Sequence, residues 1–440
     1  MAVARPQSVT ASELAAATPA SRDRFVDFVR VASIALVVVG HLTIAAVVRL
    51  HGSLHGTNAL SATAWLRPAT WLFQVMPVFF FVGGFANATA LRRRNVRTAD
   101  FLCRRVERLT TPALVFVAAW LVAAGLAVAS GADPVAVREA AKIAAQPLWF
   151  IAVYLLVIAV SPVQLRLHQR SRGAVLVSLL GVVACVDAIR LTGLGAGAAD
   201  VNYLFVFLVA QEMGFLYADG VLATVRPKVL VSVGALAAAL LVVLTTAGPY
   251  PVSMVGVPGQ KVSNMSPPTV CIVLLTVAQT AALLMARPHV ERWLRRPVVW
   301  KATIAGNGVV LSLFLWHLTA LVVVASAFAG AGAPLPTAGS AQWWAFKPLW
   351  LVGTGAVLAG IVAIVAPIER RSLVRQSLGN RRTGTALAMV LLTAGGMAVI
   401  AATGFTDLLD TGGRHVLGLS VSPAIGLALL CAGAALRFRR

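Results

Sequence analysis

"RVASIALVVVGHLTIAAVV" occupies residues 30–48, and its reading decides the class of the protein. It is almost pure hydrocarbon, opened by Arg30 and interrupted by His41. A run of about 20 apolar residues is what a helix needs to cross a bilayer. The rest of the chain agrees with that solvent. Of 440 residues, 59% are hydrophobic and 12% charged, against about a quarter charged in soluble domains. The composition predicts an all-α protein, because in lipid every backbone polar group must be satisfied within a helix or a closed barrel.

Working outward, twelve apolar stretches stand out, at roughly 26–48, 71–91, 111–130, 147–163, 174–189, 202–217, 229–247, 270–286, 302–330, 348–366, 384–403 and 418–436. The expected fold is a polytopic transmembrane helical bundle of about twelve spans. Residues 1–25 read as a disordered tail without an apolar run. The segments between spans alternate in charge. One set, which includes both termini, holds 28 Lys and Arg, and the other holds 8. The positive-inside rule then places both termini in the cytoplasm of a multi-pass cell-membrane protein. The same rule accounts for the net charge of +22 without a nucleic-acid partner. Cys103, Cys185, Cys271 and Cys431 are far apart and show no metal-ligand spacing, so they read as buried free thiols and no metal is expected. The outer segment 248–269, rich in Pro and Gly, either covers a mouth or is plain linker.

Arg30 and His41 are eleven residues apart, three helical turns and about 20°, so they share a helix face about 16 Å apart along the axis. Asp27 lies one turn before Arg30 and is placed to pair with it. An ionisable residue inside a span is a candidate functional group, and the alternative is a histidine packed by a hydrogen bond to a neighbouring helix. The same choice applies to His317. Glu212, within "YLFVFLVAQEMGFLYADG", must face the bundle interior and find a partner. Asn87, Gln279 and Asn307 read as packing hydrogen bonds, and His51, His55 and His168 as solvated loop residues. Trp149 reads as an interfacial anchor or as part of a substrate wall.

Several motifs, in order, resemble the acyltransferase-3 family of membrane O-acyltransferases. "DRFVDFVRVASIALVVVGH" resembles that family's opening helix, with Asp27, Arg30 and His41 in matching places. "FFFVGGF" at 79–85 is similar to its Phe-Phe-x-x-Ser-Gly-Phe, with Gly83 in place of the serine. "RRVERLTTP" at 104–112 resembles the basic segment before the third span, where Arg105 and Arg108 match Arg-x-x-Arg and Pro112 falls one residue late. "PLWF" at 147–150 is similar to the opening of the fourth span. "LFLWHLT" at 313–319 resembles the late helix ending in Tyr-Leu-x-His, with Phe314 for the tyrosine. The likeness covers 26–366 as a ten-span core and leaves 367–440 as a linker and two further helices.

The resemblance implies transfer of an acyl group, usually acetyl, from cytoplasmic acyl-CoA to a hydroxyl of a glycan, glycolipid or small molecule. Arg104, Arg105 and Arg108 would receive the CoA phosphates, since arginine suits bidentate phosphate contacts. His41 would act as base on the attacking hydroxyl. Arg30, His317 and Glu212 would assist it, and Trp149 would border the donor. Twelve spans with both ends inside also describe a secondary transporter, although the related halves common in such proteins are not visible.

Overall fold

The apolar stretches fold as helices because a helix satisfies its own backbone within hydrocarbon. The computed structural model describes residues 11–19, 21–50, 53–193, 197–374, 381–408, 415–416 and 418–436. The helices are α1 (Ala11–Ala16), α2 (Arg24–Ile44), α3 (Thr70–Phe73), α4 (Met76–Leu91), α5 (Thr98–Ala129), α6 (Pro134–Ala145), α7 (Pro147–Arg170), α8 (Arg172–Leu191), α9 (Asn202–Ala218), α10 (Pro227–Thr246), α11 (Val270–Leu294), α12 (Pro297–Gly330), α13 (Ala341–Val374), α14 (Thr383–Thr403) and α15 (Pro423–Ala435). Two short hairpins join them, β1 (Ala45–Leu50) with β2 (Ser53–Asn58), and β3 (His415–Val416) with β4 (Leu419–Ser420). The protein is an all-α, multi-pass membrane bundle.

Among the described residues, eleven helical stretches are long and apolar enough to cross a bilayer. The twelfth expected stretch, 418–436, is shorter than a crossing. Its first residues include β4 of the β3–β4 hairpin, and the 13-residue α15 begins at Pro423. A helix of that length spans about 20 Å, against a hydrocarbon core of about 30 Å.

Other boundaries also shift. The first span stops at Ile44, not 48, because Ala45–Leu50 pairs antiparallel with Ser53–Asn58. The arginine-rich segment 92–110 is not all loop. α5 starts at Thr98, and Phe101, Leu102, Cys103 and Val106 pack inward while Arg104 and Arg108 stay exposed. Counting arginines as loop residues hid this amphipathic first part of a 32-residue helix. The segment 131–146, expected as a loop, is largely α6, whose N-terminus is capped by Asp133 accepting from the Val135 and Ala136 N–H groups at 3.0 and 3.3 Å.

The tail expected to be disordered contains α1. Ala15 packs on the cluster of Leu294, Trp300 and Ile304, and Trp300 Nε1 donates to Thr18 Oγ1 at 2.9 Å. Residues 1–10 lie outside the described residues. Segment 248–269 is pinned rather than a linker. Met254 and Ser253 are buried, Trp71 Nε1 donates to the Val252 carbonyl at 2.7 Å, and Gln74 Nε2 donates to the Met254 carbonyl at 3.1 Å. All four cysteines are free as expected, but Cys185 and Cys431 are exposed on helix exteriors.

Close backbone approach sets the centre of the bundle. A Cβ on Gly84 would collide with the Gln211 carbonyl, and one on Gly214 with the Phe81 carbonyl. Glycine on both sides lets α4 and α9 pack backbone to backbone, as small residues do in membranes. α14 packs on α5 and α7, with Phe405 just beyond it stacked on Trp120 at 5.9 Å. The helices that follow the family-like core are therefore part of the bundle.

Candidate active site

The site begins with α2. Asp23 caps its N-terminus, accepting from the Val26 N–H at 3.0 Å, and Tyr217 donates its hydroxyl to the other carboxylate oxygen at 2.8 Å. One turn on, Asp27 pairs with Arg22 at 2.6 Å and with Arg30 at 3.3 Å. The Asp27 carbonyl accepts from Asn307 Nδ2 at 3.1 Å. These bonds tie the start of α2 to α9 and α12. At its other end, Lys347 of α13 donates to the carbonyls of Ala45 at 2.7 Å and Leu42 at 3.4 Å, with its ammonium 4.0 Å from the Trp343 ring centroid. Helix-end carbonyls otherwise lack partners, and in the membrane they need one.

α12 runs beside α2 in the same direction. A Cβ on Gly306 would lie 2.8 Å from Val31 Cγ1, so glycine permits this approach. His317 follows Gly306 by eleven residues and His41 follows Val31 by ten, about three turns in each helix. The two histidines consequently meet. His41 Nδ1 and His317 Nε2 are 2.8 Å apart, and the rings are 15° from parallel. His317 is fully buried, and its Nδ1 lies 2.6 Å from the Phe314 carbonyl oxygen.

Toward the start of α2, a cavity of about 220 Å³ opens. Arg30, Arg105 and Arg108 line it, with Phe79, Phe150, Tyr154 and Phe314 as an aromatic wall and Ser312 and Glu369 as a polar patch. Arg105 Nη2 donates to the Ala86 carbonyl at 3.0 Å, and Ser312 Oγ donates to Glu369 Oε2 at 2.5 Å. Arg105 and Arg108 share a helix face by their i, i+3 spacing. The wall leads to the histidines: Phe150 packs edge-on to Phe314 at 5.0 Å, and the Phe314 ring centroid is 5.9 Å from that of His317.

The family model for the acyltransferase domain of acyltransferase-3 proteins matches residues 23–367. The chain belongs to the acyltransferase-3 family. No curated protein and no solved structure matches it. As a member it is a membrane acyltransferase that transfers groups other than aminoacyl groups. The secondary-transporter reading finds no support in this match. The matched segment contains the histidine pair and every cavity-lining residue except Glu369, which lies two residues past its end, and it stops before α14.

Within this acyltransferase domain, the fold brings together Arg30, Arg105, Arg108, His41 and His317. It leaves out three expected residues. Arg104 is exposed and does not line the cavity. Trp149 packs edge-on to Phe150 at 6.2 Å and lies 6.1 Å from Tyr203 in the first turn of α9, away from the arginines. Glu212 is fully buried in a separate network. Tyr154, Ser312 and Glu369 were missed. Phe150 and Tyr154 could have been found as an i, i+4 aromatic pair. Glu369 lies three residues past the expected end of its span, in a helix that continues to Val374.

His168 is the clearest correction. Read as solvated, it is fully buried, because α7 continues through the expected loop to Arg170. Its Nδ1 is 2.5 Å from Glu212 Oε1 and its Nε2 is 3.2 Å from Asp219 Oδ2. Asp219 also pairs with Arg92 and, at 2.7 Å, with Arg172. Burial alone would raise the Asp219 carboxyl, but hydrogen bonds from His168 and Arg92 and the charges of Arg92 and Arg172 hold it below the usual range. Gln164 Nε2 donates to Glu212 Oε2 at 2.9 Å, and Gln211 Nε2 donates to Gln164 Oε1 at 2.7 Å. Asn87 and Ser161 both donate to Gln211 Oε1 at 2.9 Å. Asn87 and Gln279 make packing hydrogen bonds, as expected, and Asn307 does so too but also lines the cavity. His55 is half-buried in β2, and His51 lies outside the described residues.

Proposed function

We propose that this acyltransferase takes an acyl group, most simply acetyl, from cytoplasmic acyl-CoA and transfers it to a hydroxyl of a glycan, glycolipid or related small acceptor. The observation that carries the reading is the alignment of one cavity with the histidine pair. Three arginines line the cavity, and its aromatic wall continues to His317. CoA is a polyanion with a long, narrow arm. Its phosphates suit Arg30, Arg105 and Arg108, with charge-assisted bonds as the attraction. The arm would lie along Phe79, Tyr154 and Phe150, leaving the thioester near Phe314 and the histidines. Arg104, Trp149 and Glu212 have no place in this assignment.

His41 would serve as base on the acceptor hydroxyl. Its distance from bulk water protects the acyl group from hydrolysis. The donor reaches the arginines only if their end of the bundle is cytoplasmic, which the charge asymmetry supports. In a cysteine-free background, a cysteine at Gly131 should react with an impermeant reagent from outside, and one at Asn95 only from the cytoplasm. The reverse pattern overturns the donor route. The activity is tested with purified protein in vesicles, labelled acetyl-CoA and a panel of hydroxyl acceptors. Label should appear in an ester while free CoA accumulates in equal amount. No ester with any acceptor, together with no acetyl-CoA binding, would overturn the donor assignment.

A further inference from the structure

The histidine pair has a direction, and a backbone carbonyl sets it. The Phe314 carbonyl oxygen carries no hydrogen, so at 2.6 Å it accepts, and His317 Nδ1 is the donor. Among the described residues, no carboxylate is hydrogen-bonded to either ring. A neutral His317 with its hydrogen on Nδ1 has a bare Nε2. That nitrogen is 2.8 Å from His41 Nδ1, which must therefore carry a hydrogen. The remaining nitrogen of His41, Nε2, is left with its lone pair.

We infer that His317 is a positioning residue that holds His41 in the tautomer with a basic Nε2, through the chain Phe314 carbonyl, His317, His41. The inference rests on the proposed acyl transfer for its chemical use, but the tautomer itself does not. His41 alone, on the first span, could point either nitrogen at a substrate. Its partner sits 276 residues away in sequence. Burial of His317 leaves its ring little freedom to turn, and a ring fixed by one hydrogen bond passes that choice to the next.

In the reaction, the acceptor O–H bond breaks and its proton moves to His41 Nε2. The oxygen electron pair forms the new O–C bond. The C–S bond breaks with its pair left on sulfur, and Nε2 returns the proton to that sulfur as the thiol leaves. While His41 holds the extra proton, its Nδ1–H faces the His317 Nε2 lone pair. His317 thus stabilises the transient cation as well as orienting the ring. No other reactant is consumed.

The test is nitrogen NMR of protein carrying ¹⁵N-labelled histidine in lipid, with His41 assigned by its disappearance in His41→Asn. In the unaltered protein, His41 should show a protonated Nδ1 and a bare Nε2. His317→Gln supplies an amide oxygen that can accept from His41 Nδ1–H, so both the tautomer and most of the turnover should survive. His317→Leu removes the acceptor. His41 should then populate both tautomers, and kcat should fall by about tenfold, the worth of one hydrogen bond, with KM for acetyl-CoA unchanged. A protonated Nε2 on His41 in the unaltered protein overturns the inference, and that measurement needs no variant to fold. So does a His317→Leu protein with unchanged tautomer and kcat. A His41→Asn protein that still transfers acetyl would instead sink His41 as the base while leaving the tautomer assignment in place.

Discussion

The bundle holds two histidine centres and builds them in opposite ways. His168 meets a carboxylate oxygen at each ring nitrogen, and the bonds continue through Glu212 to Gln164 and through Asp219 to Arg92 and Arg172. None of these residues lines the 220 Å³ cavity. His41 and His317 have each other and one carbonyl, and they stand at the end of that cavity's aromatic wall. On the proposed mechanism, a place inside the bundle does not by itself set the working histidine apart. What meets its nitrogens does. A ring with both nitrogens occupied is a brace between helices, whereas the tautomer proposed for His41 keeps one nitrogen free to accept a proton.

The comparison breaks most easily at His41. His41→Asn should lower acyl transfer by about 10²–10⁴-fold, the usual worth of a general base. Expression, thermal unfolding and acetyl-CoA binding should stay close to those of the unaltered protein. Near-normal transfer would make the pair a second brace.

Glu212→Leu should do the reverse. Removing one partner from a buried charged network costs about 3–5 kcal/mol, so yield and unfolding temperature should drop sharply. The protein that does fold should keep its KM for acetyl-CoA. A stable Glu212→Leu protein without transfer activity would move the carboxylate into the chemistry.

The arginines come next. Arg105→Ala and Arg108→Ala should each weaken donor affinity by about ten- to a hundredfold, the loss of one charge-assisted contact. Arg104→Ala, exposed and outside the cavity, should change it little. Equilibrium binding of acetyl-CoA in detergent distinguishes the three, and an equal loss at Arg104 would reassign the whole cluster to topology.

The smallest effect is that of pH on the brace. Asp219 is held below the usual carboxylate range. Its contribution is fully present above the unfolded value of about 3.9 and is lost as pH falls through the lower folded value. Unfolding temperature should decline more steeply in acid for the unaltered protein than for Asp219→Asn, and identical slopes would show that Asp219 is not part of the brace.

Much of the bundle was legible in the chain, since apolar runs and arginine-rich joints follow from the solvent and from insertion. The stretches misread were those where one helix carries two kinds of surface. α5 begins in an arginine-rich segment, α7 continues past the expected loop through His168, and α13 continues past residue 366 to Glu369 and beyond. Hydropathy averages over a helix's circumference and ends a span where charge begins. A helix continues as long as its buried face does.

By itself the sequence determined a membrane-embedded helical protein, its acyltransferase-3 kinship, and Arg30 and His41 on one helix face. The first and last of these depend on composition and on a spacing of a few turns, and the kinship on short motifs that resemble the family's. Only the tertiary structure decided which of the buried ionisable residues act together. His41 meets His317 because Gly306 lets α12 lie against α2 in register, and Glu212 meets His168 because α7 and α9 pack side by side. These partners are 276 and 44 residues apart. No local period connects positions at such separations, and only the packing of helix against helix does so.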